Sequence, residues 1–329
     1  MHEPSKHPVL NADPFPGHPD FNGPLTLETQ SYERIELAGD PPYQDSLRYG
    51  IEVADGSGET VILKVKGVEL FVDPGTEYEE LHGQFKDCEF NVLSRNYERD
   101  FLQANAEFYA CVAGRIHQVT ACCPRLDVLS IAAGQGYELD TVFARGREGK
   151  FLGLDPSEQM LRVLEGKDDR YPETAIHTRV ARAHALLEEH VREDIIDTIG
   201  RPTLVTCVAG LHVIDKTGRS EGDALGKQVR PILAAVVDMM QSGGFIVVGN
   251  YYHKTDADYE RFAQIWHDKQ VANGVANPHQ PTPPNKLFTP QQMGRMLEGL
   301  GLNVDRMSPN DDVMCSTGIR GYVMVARKL

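Results

Sequence analysis

The sequence predicts an α/β fold in which a mostly parallel sheet is covered by helices on both faces. Three observations predict it. From Arg125 onward, short apolar runs alternate with segments of helical periodicity, the pattern of strands buried on both sides by crossover helices. The first apolar run ends in a turn of small residues, Ala132-Ala-Gly-Gln-Gly136, that opens a helix. The second run, Phe151-Leu-Gly-Leu154, ends in an acid, Asp155.

Strands are expected at 126–132, 150–154, 175–180, 202–208, 244–250, 301–307 and 320–327. Helices are expected near 136–145, 157–165, 182–196, 223–241, 255–271 and 290–299, with 272–288 as a long Asn- and Pro-rich loop. Gly243-Gly244 marks a helix-to-strand turn, and Thr289-Pro290 supplies an N-cap followed by Pro at the first helical position. Upstream, three domain-level segments are expected: an arm over 1–24, a β-hairpin and helical lid unit over 25–120, and the main domain over 121–329. Within the middle unit, 46–54, 60–65 and 68–72 read as short strands around the turn Asp55-Gly-Ser-Gly58. Tyr97, Phe101, Ala104, Phe108, Val112 and Ile116 recur at spacings of three and four, which predicts an amphipathic helix over 95–119.

Composition narrows the function classes. The chain has 329 residues, 41% of them apolar, and a formal net charge of −15 with no cluster of Lys and Arg. Such a chain repels a phosphate backbone, so nucleic acid is not an expected partner. No apolar run approaches the length of a membrane span, and Met1–Pro24 lacks the apolar stretch of a signal peptide. The six cysteines form no C-x-x-C pair, so reduced thiols and a cytoplasmic location are the expectation. Asn310-Asp-Asp312 points its side chains in different directions, and no metal is expected.

Glycines at 134 and 136 let the backbone turn sharply and approach a ligand without a Cβ in the way. Nineteen residues after Gly136, Asp155 stands where a carboxylate accepts the two hydroxyls of a ribose. At these residues the sequence resembles the class I S-adenosylmethionine-dependent methyltransferases, over roughly 95–329. Val128-Leu-Ser-Ile-Ala-Ala-Gly-Gln-Gly136 is similar to the family's first strand and glycine loop, and Leu152–Leu161 to its G-x-D-x-S-x-x-M-L segment. Val205–Ile214 is similar to its fourth strand and turn, Gly243–Val248 to its fifth strand, and Tyr322–Lys328 to its closing hairpin. Ser130 stands where the family has a loop acid, Ala132 where it has its first glycine, and Arg182 and His184 where an acid often holds the adenine amine.

The resemblance implies a Rossmann-like, seven-stranded, mostly parallel sheet with an antiparallel last strand, plus the β-rich extension and helical lid. It also implies S-adenosylmethionine as cofactor, held by Ala132, Ala133, Gly134, Gln135, Gly136, Tyr137, Asp155, Pro156, Met160, Arg182, Ala183, His184, Ala209 and Gly210. Tyr137 could face the sulfonium, or could be an ordinary core residue of the first helical turn. His212, Tyr251 and Tyr252, after the fourth and fifth strands, are the catalytic candidates.

Three functions stay open at this point. One is methyl transfer to N or O of a small molecule, of the kind found in secondary metabolism. Another is cyclisation or alkyl transfer at the aminocarboxypropyl carbon, giving azetidine-2-carboxylate and methylthioadenosine from S-adenosylmethionine alone. The last is a non-catalytic binding protein with a degenerate site. A homodimer is the default expectation for assembly.

Overall fold

The computed structural model describes residues 26–27, 35–36, 51–55, 61–65, 68–72, 97–98, 102–144, 146–214, 226–272, 287–305, 313–315 and 319–329. The expected arm at 1–24, most of the loop at 272–288, and Asn310–Asp312 lie outside them. The chain divides into two compact units, Met1–Val92 with Ala263–Pro283, and Leu93–Phe262 with Pro284–Leu329.

In the first unit, β1 (Thr26–Leu27) pairs antiparallel with β2 (Ile35–Glu36). β3 (Ile51–Asp55), β4 (Val61–Val65) and β5 (Val68–Val72) form an antiparallel meander in that order, as the alternation and turn residues predict.

The second unit carries α1 (Ala106–Thr120), β6 (Arg125–Ile131), α2 (Tyr137–Phe143), β7 (Glu148–Asp155), α3 (Glu158–Glu165), β8 (Thr174–Val180), α4 (Glu189–Ile199), β9 (Leu204–Val208) and α5 (Leu211–Ile214). It continues with α6 (Val229–Met239), β10 (Phe245–Tyr252), α7 (Asp256–Ala272, which runs on into the first unit), α8 (Pro290–Glu298), β11 (Leu302–Asp305), β12 (Val313–Met314) and β13 (Arg320–Lys328). The main sheet runs β11-β13-β10-β9-β6-β7-β8, with β12 added beside β13. β13 is antiparallel to both neighbours, β10 and β11, while the pairs among β10, β9, β6, β7 and β8 are parallel. This is the expected Rossmann-like sheet with its antiparallel last strand.

Strand alternation sorts the core into two layers. Leu129, Ile131, Val205, Ile246 and Val248 face one layer, which α4, α6 and α8 complete with Ile195, Leu233, Val236 and Leu297. Val128, Phe151, Leu204 and Val247 face the other, completed by Phe108, Val112 and Ile116 of α1 and by Leu139 and Val142 of α2. Each such side chain contributes roughly 1.5–3 kcal/mol when fully buried. α1 lies close to the sheet because two strand glycines leave room. A Cβ on Gly321 would come within 2.4 Å of Phe108 Cδ2, and one on Gly249 within 3.1 Å of Val112 Cγ2.

α1 falls in the sheet-bearing unit that begins at Leu93. Two helices also start from explicit caps. Ser157 Oγ accepts the Met160 amide at 3.2 Å before α3, and Thr289 and Gln292 form a capping box at α8 with Pro290 at its start. Among the described residues, no helix is long and apolar enough to cross a membrane, and Cys122, Cys123, Cys207 and Cys315 are free thiols.

Candidate functional site

The chain builds the sheet outward from β6 through β7 to β8, then returns to place β9 on the other side of β6. In open α/β sheets, the crevice at the carboxyl ends of two such strands is where ligands bind. Both turns leaving that point adopt left-handed backbone. After β6, Ala132, Gly134 and Gly136 have φ of 56°, 51° and 78°, and after β9, Ala209 has φ of 54°.

Asp155, at the end of β7, clamps the first turn. Its Oδ2 accepts the Gly134 amide at 2.9 Å, its Oδ1 accepts the Ser157 amide at 2.8 Å, and the Ala133 amide donates to Leu154 O at 3.1 Å. On the far side, Lys167 Nζ reaches Asp140 Oδ2 at 2.5 Å and Gly136 O at 3.4 Å, and Tyr171 OH donates to Asp140 Oδ1 at 2.6 Å.

Ala132 shows why glycine suits its position: a non-glycine residue in left-handed backbone costs roughly 1–2 kcal/mol. Its methyl also fixes a neighbour, because a Cβ on Gly210 would lie 2.5 Å from Ala132 Cβ. Gly210→Ala is therefore expected to destabilise the chain by about 1–3 kcal/mol, and Ala132→Gly in the same chain to recover most of that loss. Urea unfolding of the two single variants and the double variant checks this. Additive effects would contradict the contact.

Beside the loop, Tyr97, Leu102, Tyr109, Ala132, Ala133, Gln135, Tyr137, Glu138 and Val208 line a cleft with about 260 Å³ of empty space, part of it open to solvent. Tyr97 lies across the glycine turn, its ring atoms 3.8–4.0 Å from where a Cβ on Gly134 would stand. Its hydroxyl bonds with that of Tyr109, which also bonds with Tyr251. Tyr137 donates to Tyr109 O at 2.5 Å, and the rings of Tyr109 and Tyr137 meet edge to face at 4.8 Å.

Burial pushes the hydroxyls of Tyr97 and Tyr137 up to about 12, and those of Tyr109 and Tyr251 higher still. At neutral pH these groups are neutral hydrogen-bonding partners, not bases. Glu138 is the exception among them. Burial pushes its carboxyl up to about 8, with the repulsion of Asp155 and Asp140 adding to the shift and its own amide and Lys167 opposing it.

The expected residues fall into distinct environments. Ala132 to Tyr137, with Asp155, Pro156, Ala209 and Gly210, converge on the switch point. Met160 is buried in α3 and contributes its amide to the Ser157 cap. Arg182, Ala183 and His184 follow β8, where Ala183 is buried in the core and His184 Nε2 pairs with Gln228 Oε1 at 3.0 Å. That bond gives His184 a partner other than an adenine.

The two tyrosines of β10 part company. Tyr251 stacks near Phe108 at 5.0 Å on the α1 side, while Tyr252 packs on Tyr322 at 5.7 Å in the opposite core layer. Tyr252 is thus a packing residue and does not share one site with Tyr251. His212 belongs to α5, but its side chain lies outside the described residues.

Tyr97, Tyr109 and Glu138 line the cleft without belonging to any motif of the sequence. A signal for Glu138 is present: it shares a helix stripe with Val142, an acid where an apolar residue belongs. Among the described residues, no group of three His, Cys, Asp or Glu is placed to hold a metal.

No protein-family model matches the sequence, and no curated protein is similar to it. Solved structures are similar in fold. Magnesium protoporphyrin IX methyltransferase from Synechocystis PCC 6803, solved with bound SAH, aligns with a TM-score of 0.50 at 13% identity over 76% of this chain and 99% of that one. The 1,6-didemethyltoxoflavin-N1-methyltransferase of Burkholderia thailandensis gives a TM-score of 0.47 at 14% identity, over 84% and 98% of the two chains. The first of these establishes that the chain shares the Rossmann-like fold of a methyltransferase of known structure.

Proposed function

We propose that the chain binds S-adenosylmethionine at the switch point and transfers its methyl group to a nitrogen or oxygen of a small molecule, in the manner of secondary metabolism. One observation carries this reading: a glycine turn clamped by a carboxylate from the next strand, at the reversal point of a sheet whose last strand is antiparallel. The residues present fit the cofactor. Asp155 stands at the end of β7 beside the glycine turn that it anchors, and Tyr97 covers that turn at Gly134.

The sulfonium supplies an already activated carbon, so the protein's task is alignment and exclusion of water. The loop and Asp155 hold the nucleoside end, and Tyr97, Tyr109 and Tyr137 wall the cleft beside it. Tyr251, with its hydroxyl held far above neutrality, orients groups instead of removing protons.

A second reading keeps the cofactor and breaks the aminocarboxypropyl bond. It is favoured by the loop's departures from the family pattern, Ser130 in place of the acid and Tyr137 inside the glycine turn. Incubating the protein with S-adenosylmethionine separates these readings. Under the first, S-adenosylhomocysteine accumulates only when an acceptor is added. Methylthioadenosine formed from S-adenosylmethionine alone would overturn it in favour of the second. Binding with neither product, across a panel of amine and hydroxyl acceptors, would point to a non-catalytic binding protein.

A further inference from the structure

We propose that Glu138 is the counter-ion for a cationic centre, a sulfonium or an ammonium, held in the cleft that Tyr97, Tyr109 and Tyr137 wall. The inference rests on the S-adenosylmethionine reading and adds a residue and a charge rule to it.

The Glu138 side chain is only 3% exposed, yet it lines a cleft that opens to solvent. A buried carboxyl with a structural role is normally matched by a basic partner or a set of donors. Here the groups facing it are mostly of its own sign. Asp140 on the same helix and Asp155 at the end of β7 repel it, and Tyr97, Tyr109 and Cys207 are neutral. Among the described residues, Lys167 is the one cation acting on it. That lysine is already engaged, with Asp140 Oδ2 at 2.5 Å and Gly136 O at 3.4 Å.

Two carboxylates, Asp140 and Glu138, therefore share this lysine, and Asp155 adds its repulsion, at the edge of a cleft that three tyrosines help to line. Electron-rich ring faces and an under-compensated carboxylate both favour the same kind of guest, a compact cation with apolar substituents. A neutral or anionic group gains from neither.

This arrangement has a proton signature. With its carboxyl raised to about 8, Glu138 in the free protein is mostly protonated at pH 7. An adjacent cation favours the carboxylate, so the proton leaves to solvent as the cation enters. No covalent bond between heavy atoms changes in this step.

Calorimetry at pH 7, in two buffers of different ionisation enthalpy, measures the proton. The ligands are S-adenosylmethionine and S-adenosylhomocysteine, which share an ammonium and differ in the sulfonium charge. In the wild-type chain, the expected result is release approaching one proton per ligand, lost in Glu138→Gln. Release with S-adenosylmethionine alone assigns the sulfonium as the guest, and its affinity relative to S-adenosylhomocysteine then rises about tenfold between pH 7 and pH 9. Release with both ligands assigns the ammonium.

The infrared band of the protonated carboxyl gives a second readout on the wild-type chain, independent of how the variant folds: it should disappear as ligand binds. Equal proton release in wild type and Glu138→Gln, or a carboxyl band that persists in the complex, would overturn the assignment while leaving the nucleoside site intact. Failure of both ligands to bind the wild-type chain would instead bring down the nucleoside reading and this inference with it.

Discussion

Asp155→Ala is expected to weaken S-adenosylhomocysteine binding by at least ~100-fold and to destabilise the free chain by on the order of 3 kcal/mol. The two effects come from the same atoms. The carboxylate accepts the amides of Gly134 and Ser157, and it is only 8% exposed, so its loss leaves two amides without their acceptor where little water reaches. The glycine turn then loses its anchor to β7, and the ribose of the proposed cofactor would lose its acceptor. Asp155→Asn should fall between wild type and alanine. Its amide oxygen still accepts one backbone N–H, but its NH₂ group faces the other donor. Urea unfolding and calorimetry on the three proteins check the order. An alanine variant as stable as wild type would show that the clamp does not hold the turn.

The fold can be read from the residues because its strands are apolar runs buried on both faces. β6, expected at 126–132, occupies Arg125–Ile131, and β9, expected at 202–208, occupies Leu204–Val208. Helix starts are less visible where the chain kinks. The stretch expected as a helix from 182 is a 3-10 turn over Ala183–Leu187, and α4 begins only after Glu188, which is extended at φ −81° and ψ 127°. The helix expected from 95 is interrupted in the same way, by a 3-10 turn over Gln103–Asn105.

The site divides along a similar line. Gly134, Gly136 and Asp155 announce themselves because their spacing belongs to a local strand-turn-helix unit. Tyr97, Tyr109 and Glu138 come from three separate segments and meet only after the sheet is assembled, so periodicity shows each as one more residue on a helical stripe. Tyr251 and Tyr252 illustrate a boundary effect. With the strand ending at 250 they look like two loop residues at one edge, but β10 runs through Tyr252 and its alternation sends them to opposite faces.

Glu138→Gln is expected to make the ligand-free chain more stable, and by an amount that grows with pH. The Glu138 carboxyl is raised from 4.5 to about 8 by burial, with Asp155 and Asp140 adding to it and Lys167 opposing. A group with a raised folded-state value binds more protons folded than unfolded, so its contribution is fully present below about 4.5 and is lost as pH rises toward 8. Above that, the folded chain carries a buried carboxylate that the unfolded chain solvates. The glutamine side chain would keep the shape and neutrality of the protonated acid at every pH. The stability gap between variant and wild type should therefore widen by on the order of 3–4 kcal/mol between pH 5 and pH 9, with all other titrating groups cancelling in the difference. Urea unfolding of both proteins at intervals across that range measures it, and a constant gap would show that Glu138 ionises as freely in the folded chain as in the unfolded one. Strongly shifted groups gather where ligands and chemistry need them, which is the setting the counter-ion proposal gives this carboxyl. Adding saturating S-adenosylmethionine should narrow the gap at pH 9, because the bound cation stabilises the carboxylate and does nothing comparable for the glutamine.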